Sequence, residues 1–238
     1  MGLPNPITMP PFCATCPTRD KTSFRLLDSD QVETLCTLKR PGHIPKGEEL
    51  FTEGQNVRGI YCVQNGHFKL TRHNSSGRDT IVRFASPGDI IGYRALLAQE
   101  PISISAVAIQ DANACFLSAD IFLNFLEENG PFALDLLRAT CHELSEANHL
   151  LASLAQKSVK QRLAEVLLML RAKFSEDTDG CIDIDLKRSE IADLVGTATE
   201  SLIRLLAQFE REELISRQGK RFKITQAKKL AQLAELVD

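Results

Sequence analysis

Apolar residues follow two rhythms along this chain, and the change of rhythm marks its parts. Between 49 and 118 the pattern is short and β-rich, in runs at 49–51, 59–64, 67–73, 79–85, 102–109 and 114–118. Gly47, Gly54, Gly66, Gly77 and Gly88 stand between them. Short strands at regular spacing with glycine turns predict an all-β sandwich or barrel. Asn65-Gly66 and Ser76-Gly77 read as hairpin turns. Before this region Val32, Leu35 and Leu38 predict a short helix over 29–39, capped by Ser29 or Asp30 and ended before Pro41. After it, residues 119–128 read as helix, and Pro131 opens a long helix to about Leu154.

In the long helix Leu137, Leu144 and Leu151 recur every seven residues, with Thr140 or Cys141, Ala147 or Asn148, and Leu154 between them. A heptad seam of this length predicts a two-helix coiled coil with Leu137, Cys141, Leu144, Asn148 and Leu151 in the interface. A helix packed on its own β domain is the other reading. Asn148 would act as a buried polar residue that fixes register. Residues 158–174 form another amphipathic helix, with Leu163, Val166, Leu167 and Leu170 as its stripe. A polar loop at 175–180 and a strand-like alternation at 181–186 follow.

Residues 186–209 read as two short helices joined by a tight turn at Gly196. The second puts Thr199, Glu200, Ile203 and Arg204 on one side and Leu202, Leu205, Leu206 and Phe209 on the other. A helix so divided can present side chains to base edges while anchored in a small core. Strands at 214–216 and 222–225 flank Arg217-Gln218-Gly219-Lys220-Arg221, a hairpin with a basic tip that would act as a wing on phosphate. Residues 226–236 read as a last helix.

Composition narrows this picture. A net charge of −3 over 238 residues makes no global case for nucleic acid, so any basic footprint must be local. No apolar run suggests a membrane span or a secretion signal, and seven cysteines mostly set in apolar patterns suit a reducing cytoplasm. Residues 1–20 hold Pro4, Pro6, Pro10, Pro11 and Pro17 and read as an irregular arm. That arm carries Cys13 and Cys16, which as a CxxC pair could chelate a metal or part of an iron–sulfur cluster, or could be two exposed thiols on a loose segment. No nucleophile–base constellation and no phosphate-cradling glycine loop appears, so an enzyme is the least supported class.

The order of elements, together with KGEELFTEGQ at 46–55, SPGDIIG at 86–92 and SEIADLVGTATESLIRLL at 189–206, resembles the CRP/FNR superfamily of bacterial transcription regulators from about residue 24 to 235. The resemblance implies an α+β fold: a flexible arm (1–23), a cyclic-nucleotide-binding-like β-roll or jelly roll that senses a signal (24–130), a dimerisation helix (131–157) and a winged helix-turn-helix (158–238). It implies a homodimer on a pseudo-palindromic operator in double-stranded DNA, with RNA polymerase as a further partner. Glu200 and Arg204 fall where the family's base-reading Glu and Arg stand. Spaced by four, they share a helix face; Arg can donate twice to guanine O6 and N7, and Glu can accept from cytosine N4. Thr197-x-x-Glu200 could instead be a capping box, and Arg204 could meet phosphate only. Thr199 and Ile203 would modulate the reading, with Ser201, Lys187, Lys220 and Arg221 on phosphate.

What controls the protein is left open. The effector pocket of the resemblance falls on Gly88, Asp89, Gly92, Tyr93, Arg94, Ser103 and Ser105. Members that bind cyclic nucleotides carry a glutamate where Tyr93 stands, and an arginine paired with serine or threonine where the chain reads Pro101-Ile102-Ser103-Ile104-Ser105. Neither charge is present, so tight cyclic AMP binding is not expected. Cys13, Cys16 and Cys115 resemble part of an FNR iron–sulfur ligand set, but Thr22 and Ser23 stand near the place of the third N-terminal cysteine. Such a site would have to recruit Cys36 or another group. Haem is the other candidate cofactor, through His67, His73, His142 or His149. A gas or redox sensor, or a ligand-binding protein with a vestigial DNA-binding domain, are the alternatives to an effector-sensing regulator.

Overall fold

The computed structural model describes residues 13–73 and 79–236. Pro4, Pro6, Pro10, Pro11 and the turn at Ser76-Gly77 lie outside them. The chain divides into two compact units, Met1–Leu144 and Ser145–Asp238.

In the first unit three short 3-10 turns, Cys13–Thr15, Arg19–Lys21 and Ser23–Leu26, lead into α1 (Ser29–Leu38). The cap of α1 is Asp28, not Ser29 or Asp30. Its carboxylate accepts from the Gln31 N–H at 2.8 Å, and the Gln31 amide oxygen accepts from the Asp28 N–H at 3.3 Å. This reciprocal box satisfies two helix-end donors at once. Residues 13–23 are not a loose arm either: Cys13, Thr18, Thr22 and Ser23 are buried. Phe24 stacks on Phe132 with centroids 5.4 Å apart.

The β-roll comprises β1 (Arg40–Ile44), β2 (Glu49–Phe51), β3 (Gly59–Asn65), β4 (Phe68–His73), β5 (Asp79–Ala85), β6 (Ile90–Ile91), β7 (Ser105–Ala108) and β8 (Ala112–Ser118). Among the described residues they form two antiparallel sheets, β1-β8-β3-β6 and β2-β7-β4-β5. Two strands escape the sequence pattern. β1 carries Pro41, which an edge strand tolerates, and β6 is two residues long. The run at 102–109 shortens to β7, and the segment after Gly92 forms a helix, α2 (Tyr93–Ala98). Asn65-Gly66 is not a hairpin turn, because β3 and β4 belong to different sheets. Gly66 turns the corner at φ +73°, where a Cβ would lie 2.6 Å from the Ala112 Cβ.

Alternation along the strands feeds two cores. Val63, Phe68, Leu70, Ala106 and Ala114 pack in one of them. Ile60 and Leu117 pack in the other with Leu35 of α1, Phe122 of α3 (Ala119–Glu128) and Phe132 of the long helix α4 (Gly130–Gln156). Cys62 has the same parity as Ile60 and joins this second core.

The second unit follows α4 with α5 (Val159–Phe174), opened by a Ser158/Gln161 capping box, then α6 (Arg188–Val195), α7 (Thr199–Arg211), β9 (Ile215–Gln218), β10 (Arg221–Ile224) and α8 (Ala227–Leu233). Leu163, Leu167, Leu170, Val195, Leu206 and Phe209 form its buried centre. The segment 181–186 makes only an isolated bridge, Glu176 to Ile182. Its backbone donors go elsewhere: Cys181 N–H to the Asp177 carboxylate at 2.9 Å and Ile182 N–H to the Phe222 carbonyl at 2.8 Å. Among the described residues no helix is long and apolar enough to cross a membrane.

Candidate nucleic-acid interface and sensor site

The turn between α6 and α7 depends on one residue. Gly196 adopts φ +68°, its N–H donates to the Asp193 carbonyl, and the following Thr197 N–H reaches back to Ala192 at 3.0 Å. A left-handed residue closes the helix while bending the chain. Arg162 of α5 then fixes the turn, with Nε donating to the Val195 carbonyl at 2.7 Å and Nη2 to that of Gly196 at 3.2 Å. Nothing in the sequence pattern singled out Arg162.

Beyond the turn, α7 starts at Thr199 with Ala198 as its cap residue. The Thr197/Glu200 capping box does not form, because the Thr197 N–H is spent on the preceding turn. Leu202, Leu206 and Phe209 are buried, whereas Glu200, Ile203 and Arg204 are exposed. Leu205, Thr199 and Ser201 are half-buried. Arg204 Nη2 donates to the Ser201 hydroxyl at 3.2 Å. Glu200 has no hydrogen bond or ion pair among the described residues. Lys187 precedes α6, and its N–H donates to the Glu190 carboxylate at 2.7 Å. That carboxylate sits in the first turn, where the helix dipole favours it.

β9 and β10 make the wing, with Gly219 at φ +62° in the tip. Lys220 is exposed at that tip. Arg221, expected on phosphate alongside it, is held by Asp177 and lies 3.7 Å from Asp179. N–H donation from Cys181 and Asp179, with the Arg221 charge beside it, keeps the Asp177 carboxyl below the usual carboxylate range. Arg188 lies over the Phe222 ring at 4.3 Å and donates to the Lys220 carbonyl at 3.2 Å, tying α6 to the wing.

On α4, Leu137, Leu144 and Leu151 are 58%, 62% and 65% exposed, and Cys141 and Asn148 are exposed beside them. The packed face of this helix is a different one, carrying Phe132 and Leu136.

Several of the residues expected in an effector pocket hold local structural roles. Gly88 and Gly92 shape turns at positive φ, and Asp89 accepts from the Ser86 N–H at 2.8 Å. Ser103 is exposed, and the Ser105 hydroxyl accepts from the Glu53 N–H at 2.9 Å. Tyr93 and Arg94 instead meet Glu143 of α4. The Tyr93 hydroxyl donates to Glu143 at 3.0 Å, Arg94 lies 3.6 Å away, and Arg83 of β5 pairs with the same carboxylate. Arginines do stand beside Tyr93, therefore, but an internal carboxylate occupies them. The candidate haem ligands are dispersed: His67 contacts Ser86 at 3.1 Å, His73 contacts Asp79 at 2.9 Å, and His142 and His149 are exposed on α4. Cys13, Cys16 and Cys115 do come together around one small cavity, with Cys62 as a fourth. Cys62 was missed because it reads as one apolar position of β3.

A glycine-cornered β-roll, a long helix with an exposed heptad face and a winged helix-turn-helix define a sensor joined to a DNA-reading head. Residues 41–129 match the family model for the cyclic nucleotide-binding domain, and residues 161–233 match that for the Crp-like helix-turn-helix domain. The chain is 27% identical over 213 residues to the CRP-like cAMP-activated global transcriptional regulator of Mycobacterium tuberculosis, covering 89% of this chain and 95% of that one. It is 29% identical over 210 residues to the nitrogen fixation regulation protein FixK of Bradyrhizobium diazoefficiens, covering 86% of each. The solved structure of FixK2 from Bradyrhizobium japonicum shares the fold, with a TM-score of 0.72 at 23% identity over 82% of this chain and 97% of that one. The chain belongs to the CRP/FNR superfamily, and it is a DNA-binding transcription regulator with a sensing domain.

Proposed function

We propose that the protein acts in the cytoplasm as a homodimer that reads a pseudo-palindromic operator through α7. The observation that carries this reading is the division of α7. Leu202, Leu206 and Phe209 lock one side into the unit's core, while Glu200, Ile203 and Arg204 face solvent. Two such helices, related by the exposed seam of α4, would enter successive major grooves about 34 Å apart. Arg204 reads a guanine, Glu200 accepts from the neighbouring cytosine, and Ile203 meets a thymine methyl. The start of α7 has no side-chain cap, so its free N–H groups suit a phosphate, with Thr197, Thr199 and Ser201 nearby. Lys187 and Lys220 supply further phosphate contacts.

Cyclic AMP is not the effector in this reading. The ribose-binding glutamate is absent at Tyr93, and Arg83 and Arg94 are already paired with Glu143. An anionic phosphate would have to displace that carboxylate from two cations and a tyrosine.

Arg204→Ala tests the DNA reading. Binding of wild type and variant is measured against a selected operator and against operators changed at each base pair. The variant should lose about 1–3 kcal/mol per half-site and stop discriminating at one guanine. An equal loss on every sequence would show that Arg204 meets phosphate alone.

A further inference from the structure

We propose that Arg162 and Glu165 make α5 a fixed bracket that locks the start of α7 to the end of α4, and so set the half-site spacing the protein accepts. This rests on the operator reading above and adds a determinant that touches no base.

Arg162 gives its whole guanidinium fork to backbone carbonyls. Nη1 donates to the Lys157 carbonyl at 2.7 Å, one residue past the end of α4. Nε and Nη2 take the Val195 and Gly196 carbonyls at the end of α6, as described above. One rigid planar group therefore ties α4 to the turn that opens α7. Carbonyls at helix ends lack partners within their helix, and the helix dipole favours a cation there. The approach is close: a Cβ on Gly196 would lie 2.7 Å from the Leu154 side chain of α4.

Glu165, three residues on, holds α5 to α4 from the other side. Its carboxylate accepts from the Ser153 hydroxyl at 2.7 Å and from the Lys157 ammonium at 3.1 Å, and lies 3.5 Å from His149 Nδ1. His149, Ser153 and Lys157 are four apart and share one face of α4. Lys157 donates further to the Ala234 carbonyl at 2.8 Å. Ser153 is buried, and the Glu165 and Lys157 side chains keep only 17% and 14% of their surface exposed. Little water competes for these bonds, which strengthens them. Every residue of the bracket belongs to the second unit.

The apolar centre of that unit holds its helices together without fixing their angles, because burial is non-directional. Charge-assisted bonds to a planar fork fix both distance and direction. An operator is sensitive to the angle. One base pair added between half-sites moves the second of them by about 3.4 Å along the axis and about 35° around it. A head fixed on α4 does not follow that displacement and gives up base contacts in one half-site, each worth roughly tenfold in affinity. A head released from α4 turns to meet it.

The test compares wild type, Arg162→Gln, Arg162→Lys and Glu165→Gln on three operators: the selected one, and versions with one base pair inserted or removed between the half-sites. Wild type should prefer the selected spacing by at least about tenfold. The glutamine variants should lose most of that preference while still discriminating at the guanine assigned to Arg204. Arg162→Lys keeps the charge without the fork and should behave as Arg162→Gln does. A folded Arg162→Gln with the full wild-type spacing preference would overturn the bracket. So would full restoration by lysine, or a wild type that reads bases but accepts all three spacings equally. Thermal unfolding shows which variants are folded, and Glu165→Gln carries the test from the α4 side should the Arg162 variants unfold. Amide hydrogen exchange of residues 194–200 provides a readout without DNA: Arg162→Gln should speed it. If no palindrome is selected, the operator reading fails by itself, and unchanged exchange at 194–200 is then the result that overturns the bracket.

Discussion

Replacing Leu144 and Leu151 together by glutamate should convert the protein from dimer to monomer. Burying a leucine fully is worth about 1.5–3 kcal/mol. Leu144 and Leu151 keep 62% and 65% of their surface exposed, so an interface that covers them gains about 1–2 kcal/mol from each. With Leu137 included, the two copies of the seam supply roughly 6–12 kcal/mol gross. That is comparable to the estimated cost of associating two bodies, about 4–15 kcal/mol. The double substitution removes about 4–8 kcal/mol of the gain and brings four carboxylates together. The dissociation constant should rise at least about a thousandfold. The protomer should keep its own stability within about 0.5 kcal/mol, because both positions are exposed in it. Analytical ultracentrifugation across a concentration series, with thermal unfolding as control, reads both effects. A folded variant that still sediments as a dimer with unchanged affinity would show that α4 is not the interface. DNA binding should fall with the dimer, since one half-site contact does not replace two.

Lys220→Ala should reduce the slope of log affinity against log salt by about one per site without altering sequence preference. Arg221→Ala should change that slope less and loosen the wing, because Arg221 is already paired with Asp177; equal effects on the salt dependence would refute this distinction. Gly196→Ala should destabilise the second unit by about 1–2 kcal/mol, the cost of a left-handed conformation for an L side chain, as read by denaturant unfolding. The Leu154 side-chain tip, 2.7 Å from the added Cβ, must also shift, and a variant as stable as wild type would contradict the local geometry. Asp135 gives a pH dependence. Burial raises its carboxyl, but hydrogen bonds from Arg25 and Ser23 outweigh that and bring it below 3.8. A group depressed in the folded state stabilises above its unfolded value and loses that contribution as pH falls through the folded one. Asp135→Asn should therefore be less stable than wild type at neutral pH and equal to it well below 3.8, measured as denaturation midpoints across the range.

Local chemistry determined much of this protein. The 3.6-residue period of α7, the left-handed glycine after α6, the seven-residue recurrence of α4 and the glycine-tipped wing all involve residues within a few turns of one another. Their structure follows from side-chain spacing and backbone freedom, and the sequence displays both. Only the tertiary structure decided which distant residues meet. Asn65-Gly66 has hairpin chemistry, yet the chain changes sheets there because β3 pairs with β8 and β6 instead. Arg221 looks like a phosphate ligand until Asp177, 44 residues away, is found holding it. Arg83 and Arg94 are ordinary surface cations in the sequence and converge on Glu143 only because α4 packs beside Tyr93. Cys62 reads as one apolar position in a strand, and meets Cys115 only because the antiparallel register sets the two opposite each other. Period and turn type are set by neighbours along the chain. Register and charge pairing are set by whichever surfaces bury best against each other, and that depends on the whole fold.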